Sequence, residues 1–135
     1  MAAANVKASG SCNCGGVKYT VMGPLREVIA CHCGQCRKQS GHFYAATNAA
    51  NSDLQIEDSG VLKWYAASEF ARRGFCGECG SALFWKRLDG DHTSILAGTL
   101  DGDAGGAKLD RHIFVEDKGD YYELNDGLPQ FEQSD

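Results

Sequence analysis

Residues 31 to 41 read CHCGQCRKQSG, which places Cys31, Cys33 and Cys36 within six positions and lodges His32 between the first two. Three readings are open for this stretch: one closed metal site, a thiol redox centre, or a metal site short of one ligand. The remaining cysteines narrow the choice. Cys12 and Cys14 stand in CNCGG and Cys76 and Cys79 in FCGECG, so the seven cysteines divide along the chain as two, three and two. A structural zinc closes with four ligands, commonly all thiolate, whereas a catalytic zinc keeps three protein ligands and leaves a position for water or substrate. Seven thiols suit one site of each kind.

Two groupings of the thiols compete. In a nested one, Cys12 and Cys14 join Cys76 and Cys79, leaving the central triplet together. In a sequential one, Cys12, Cys14, Cys31 and Cys33 close a site, and Cys36 joins Cys76 and Cys79. Nesting is favoured, because Cys33 and Cys36 form a CxxC arc that faces a single ion more readily than two. Gly15 and Gly80, which follow the outer pairs, offer backbone N–H groups that can turn back toward a sulfur and disperse its charge. All-thiolate tetrahedral sites suit zinc or iron–sulfur chemistry, and the spacings match neither common ferredoxin run. Zinc is the expected metal, at two sites. A purely structural alternative keeps both sites closed, with His32 or another histidine as the eighth ligand.

The rest of the chain fits one small domain spanning residues 1–135. Its 135 residues suffice for a single hydrophobic core. With 43% hydrophobic and 23% charged residues, 17 glycines and two prolines, the composition is that of a globular protein rich in tight turns. A formal net charge of −5 lacks the basic excess that phosphate neutralisation requires, which argues against nucleic acid as a partner. The N-terminal MAAANVKASGS lacks the apolar core of a secretory signal, and no apolar run is long enough to span a bilayer, so the expected address is the cytoplasm. A reducing compartment and an odd cysteine count both disfavour a disulfide framework.

Short β-branched and aromatic runs at 17–21, 28–30, 43–46, 61–65, 82–85, 94–97, 112–115 and 121–124 give a mainly β pattern. Asp58-Ser59-Gly60, Asp89-Gly90 and Lys118-Gly119 are the expected hairpin turns. Helix is expected only as a turn or two at 35–40 and 66–70. The acidic DGDAGG at 101–106 lacks the closing Glu of a calcium loop and reads as a surface loop.

With CNCGG, CHCGQCRKQSG, FCGECGS, ILAGTLD and the tail HIFVEDKGDYYELNDGLPQF in this order, the chain resembles the glutathione-dependent formaldehyde-activating family, also called the GFA or CENP-V/GFA family. The resemblance covers about Ser11 to Phe131. It implies a mainly β, Mss4-like β-tent of short antiparallel sheets around zinc sites. It also implies Cys12, Cys14, Cys76 and Cys79 as ligands of a structural zinc, and Cys31, Cys33 and Cys36 as ligands of an active-site zinc and hence the catalytic set. The activity it implies is that of a carbon–sulfur lyase, adding glutathione to formaldehyde to give S-hydroxymethylglutathione, or the reverse.

An open three-thiolate zinc suits that chemistry. Coordination strips the proton from an incoming thiol, so the metal serves as nucleophile generator and template for sulfur attack on an aldehyde carbon. His32 and His42 are candidate proton relays, although the place of His32 between two ligands can turn it away from the ion. His92 is expected at the surface and His112 as a packed or hydrogen-bonded residue. Arg37, Lys38, Arg72 and Arg73 are candidate partners for the carboxylates of glutathione. Trp64, Trp85, Tyr121 and Tyr122 are expected to pack rather than to stack on a ligand. Two other functions are consistent with the same cysteines: a non-catalytic, zinc-held interaction module, and a thiol redox or metal-buffering protein in which Cys33 and Cys36 cycle through a disulfide.

Overall fold

A computed structural model describes residues 6–134. The elements run β1 (Ala8–Ser11), β2 (Val17–Val21), β3 (Val28–Cys31), α1 (Gly34–Ser40), β4 (Tyr44–Ala50), β5 (Leu54–Asp58), β6 (Leu62–Ala66), β7 (Ala71–Cys76), β8 (Ala82–Arg87), β9 (His92–Leu96) and β10 (Leu109–Ile113). They form a three-stranded sheet, β1-β2-β5, and a seven-stranded one, β10-β3-β4-β9-β8-β7-β6. The fold is thus mainly β, as the run pattern predicts. One departure from an all-antiparallel arrangement is the parallel pairing of β10 with β3.

Alternation explains how the sheets meet. Along β2, Val17, Tyr19 and Val21 are buried while Lys18 points to solvent, the two-residue period that gives a strand one apolar face. That face meets Leu83 and Phe84 of β8 and Ile95 of β9 in one buried cluster. Tyr19 and Phe84 pack edge to face with centroids 5.6 Å apart. Side chains of this size, fully buried, each stabilise the fold by about 1.5–3 kcal/mol.

Three strands lie outside the expected runs. β1 (ASGS) and β5 (LQIED) have little bulk, and β7 (ARRGFC) carries two arginines and a glycine. Conversely, residues 121–124 form no strand. There the Tyr121 and Tyr122 hydroxyls bond His42 and His32, and Lys118 Nζ donates to the carbonyls of Gly119 and Tyr122. Lys118-Gly119 is therefore no hairpin turn. Asp89-Gly90 does connect the antiparallel pair β8 and β9. Asp58-Ser59-Gly60 makes a tight turn, with Asp58 Oδ1 accepting N–H bonds from Gly60, Val61 and Leu62. It carries the chain from the small sheet to the large one instead of closing a hairpin. The expected helical turn at 66–70 is the tip of the β6–β7 hairpin. Among the described residues no helix is long and apolar enough to cross a membrane.

Candidate metal centres and reaction cavity

Cys12 and Cys14 lie in the β1–β2 connection, Cys76 ends β7, and Cys79 stands in the turn before β8. Their sulfurs all lie within 4.8 Å of one another. The separations are 3.6 Å for Cys12–Cys14 and 3.7 Å for Cys14–Cys76. Zinc–sulfur bonds of about 2.3 Å in a tetrahedron place sulfurs about 3.8 Å apart, so this donor set fits zinc in both chemistry and span. Backbone N–H groups further suit it to carry charge: Val17 donates to Cys12 Sγ at 3.3 Å, and Glu78 and Cys79 donate to Cys76 Sγ at 3.4 Å each. The glycines expected to do this act differently. The Gly15 and Gly80 amides bond the carbonyls of Cys12 and Cys76, closing the turns, and both residues adopt positive φ. The Ser81 hydroxyl and then its backbone N–H hold the Cys79 thiol down to about 5.

The second group is Cys31, Cys33 and Cys36, again within 4.8 Å. Cys31 ends β3 opposite Tyr44 of β4. Cys33 caps α1, its sulfur accepting the Cys36 N–H at 3.3 Å, and Cys36 lies one turn in. Gly41, at φ 83°, ends the helix with its N–H on the Arg37 carbonyl. The Cys36 and Cys31 sulfurs are 3.3 Å apart. Hydrogen bonds from the Cys31 and Cys36 thiols draw Cys33 down to about 2, while the same contacts push Cys31 up. The three thiols thus titrate as one coupled group. Three convergent soft donors suit zinc with one position left over.

His32 is not the fourth ligand. Extended backbone sends successive side chains to opposite faces, and His32 is fully buried away from its cysteine neighbours. Its Nδ1 bonds the Tyr122 hydroxyl at 2.5 Å and its Nε2 meets His112 Nδ1 at 2.9 Å. His112 Nε2 in turn bonds Asp126 Oδ2 at 2.8 Å. This chain of four side chains ties the C-terminal segment to the backbone between Cys31 and Cys33. Asp126 had no signal in the sequence beyond its acidity. His42, exposed, bonds Tyr121, and His92, also exposed, pairs with Asp91.

A cavity of about 330 Å³ opens beside the trio, lined by Cys31, Cys33, Cys36, Tyr44, Arg73 and Trp85. Of the four basic candidates only Arg73 reaches it. Arg37 bonds the Asp117 carbonyl, Arg72 bonds the carbonyls of Ser68 and Ala71, and Lys38 is exposed. Arg73 is 4% exposed and is gripped by Gln35 Oε1 at 2.8 and 3.1 Å. It also donates to Cys36 Sγ at 3.5 Å. Its Nη1 has no partner among the described residues. Arg26 lines the cavity as well, bonded to the Ala46 carbonyl at 2.8 Å. Phe114, which also lines the cavity, has φ 55° and ψ 38°, a strained conformation for an aromatic residue of the kind that clusters at functional sites. Of the four aromatic candidates only Trp85 lines the cavity. Trp64 stacks on Phe84 in the core.

The family model described as "Glutathione-dependent formaldehyde-activating enzyme" matches residues 7–117. A curated relative in Schizosaccharomyces pombe, named as an uncharacterized lyase, is 25% identical over 122 residues, covering 90% of this chain and 88% of its own length. A crystal structure of a Rhodobacter sphaeroides protein superposes with a TM-score of 0.60 at 22% identity, covering 90% of this chain and 98% of that one. This last likeness is one of fold.

Proposed function

The chain belongs to the glutathione-dependent formaldehyde-activating enzyme family, and on that premise we propose that it is a zinc-dependent carbon–sulfur lyase joining a small thiol to a small aldehyde, or cleaving the adduct. Glutathione and formaldehyde are the pair the family description names. The observation that carries the reading is the three-thiol group opening onto a cavity, whereas Cys12, Cys76 and Cys79 of the four-thiol group are packed into the protein core. The proposed assignment is a structural zinc on Cys12, Cys14, Cys76 and Cys79 and an active-site zinc on Cys31, Cys33 and Cys36. Bound there, zinc supplies a site where a substrate thiol is held as thiolate.

The protein's own groups do the rest. The Arg73 guanidinium against Cys36 offsets part of the negative charge that three thiolates accumulate. Arg26 and Arg73 make the cavity cationic, which suits a thiol bearing carboxylates. Trp85 and Phe114 shield the reacting sulfur from bulk water. Exchange spectroscopy with ¹³C-formaldehyde and glutathione tests the reading. The zinc-loaded protein should speed interconversion with S-hydroxymethylglutathione well above the spontaneous rate, and Cys36→Ser should return it to that rate. Spontaneous rates throughout, with a panel of small thiols, would refute it.

A further inference from the structure

Among the five tyrosines of the chain, four have their hydroxyls engaged: Tyr19 with Thr99, Tyr65 with Gln39, Tyr121 with His42 and Tyr122 with His32. Tyr44 differs. Its hydroxyl is met by the Arg73 guanidinium, and the residue is only 5% exposed. That guanidinium also stands over the ring, 4.9 Å from the centroid, and an arginine can only donate, which leaves the phenol proton for an acceptor in the cavity. A buried phenol normally finds a partner. The Tyr44 side chain lines the same cavity as the three cysteines, sits opposite Cys31 in the β3–β4 register and packs against Cys36.

From this geometry we propose that Tyr44 is a catalytic residue whose O–H donates a hydrogen bond to the carbonyl oxygen of the electrophile. The inference rests on the lyase reading and deepens it. As the carbon–sulfur bond forms, the C=O π pair moves onto oxygen, and the proton given up by the thiol ends on that oxygen. Tyr44 keeps its own proton throughout and stabilises the charge while it is on the oxygen; the reverse reaction uses the same bond as the carbonyl re-forms. Donors aimed at developing oxyanion charge in a water-poor site are among the largest contributors to catalysis. The site thus discriminates for substrates with a carbonyl or hydroxyl one atom from sulfur.

The test is Tyr44→Phe, which removes one oxygen and leaves the ring under Arg73. Removing a single oxyanion donor costs about 10²–10³ in kcat, and a loss of that order is expected with zinc content, melting temperature and glutathione affinity by calorimetry unchanged. A second readout does not depend on rate. In ¹³Cζ-tyrosine NMR spectra of glutathione-saturated protein, formaldehyde should shift one resonance, identified as Tyr44 by its loss in the variant. Full kcat in Tyr44→Phe, or no shift at Tyr44, overturns the proposal while the lyase reading stands. A wild-type protein with no adduct activity overturns both.

Discussion

Cys31, His32 and Cys33 show how a single residue step separates two roles. The outer two side chains line the cavity and the middle one is buried away from it, where it meets Tyr122 and His112. Burial first, and then the neighbouring His112, push the His32 pKa down to about 4. Below the ordinary histidine value of about 6.5 the unfolded chain therefore binds more protons than the folded one. The stability contributed by neutral His32 is present above about pH 6.5 and lost as the pH falls toward 4. An NMR titration of the ring carbons should show His32 neutral at pH 5, and a midpoint near 6.5 would contradict this. The sequence placed His32 between ligands and allowed that it turn away. It did not show Tyr44 as a cavity residue, because that role depends on which strand lies opposite Cys31, a long-range fact.

Strand identity was legible where bulk and alternation coincide, as in β2, or where bulk alone is high, as in β8. It failed where close packing replaces bulk. In β7, Gly74 lies under Trp64, where an added Cβ would come within 2.9 Å of the indole, and Arg73 is buried because Gln35, Cys36 and the Tyr44 ring receive it. A local reading of ARRGFC shows only charge and a glycine. The cysteine knuckles, by contrast, were legible from spacing alone, since short CxC and CxxC loops constrain their sulfurs locally. Their placement predicts a difference between two variants. Cys76 is fully buried within the main core, and binding energy at a structural zinc is folding energy, so Cys76→Ser should lose the cooperative unfolding transition. Cys36→Ser should keep that transition, followed by circular dichroism, and bind one zinc fewer by elemental analysis. Equal loss of fold in both would contradict the division of roles.

For the molecule as a whole, the four-thiol group joins the small sheet, through Cys12 and Cys14, to the large sheet, through Cys76 and Cys79. The three-thiol group instead sits at one end of the large sheet, where β3, β4 and α1 meet a cavity. The C-terminal segment covers the other side of that end, held by backbone bonds such as Phe131 N–H to the His112 carbonyl and Phe114 N–H to the Gln133 carbonyl. One part of the fold is thus stapled and another is left open. The count of seven thiols pointed to that asymmetry, but the sequence could not show which arginine reaches the site or what the C-terminal tyrosines hold. The most direct test of the account is zinc X-ray absorption on protein of known zinc content, before and after adding glutathione. Two zincs per chain and one new sulfur neighbour at the three-cysteine site are expected. Two zincs with unchanged coordination on adding the thiol would contradict it.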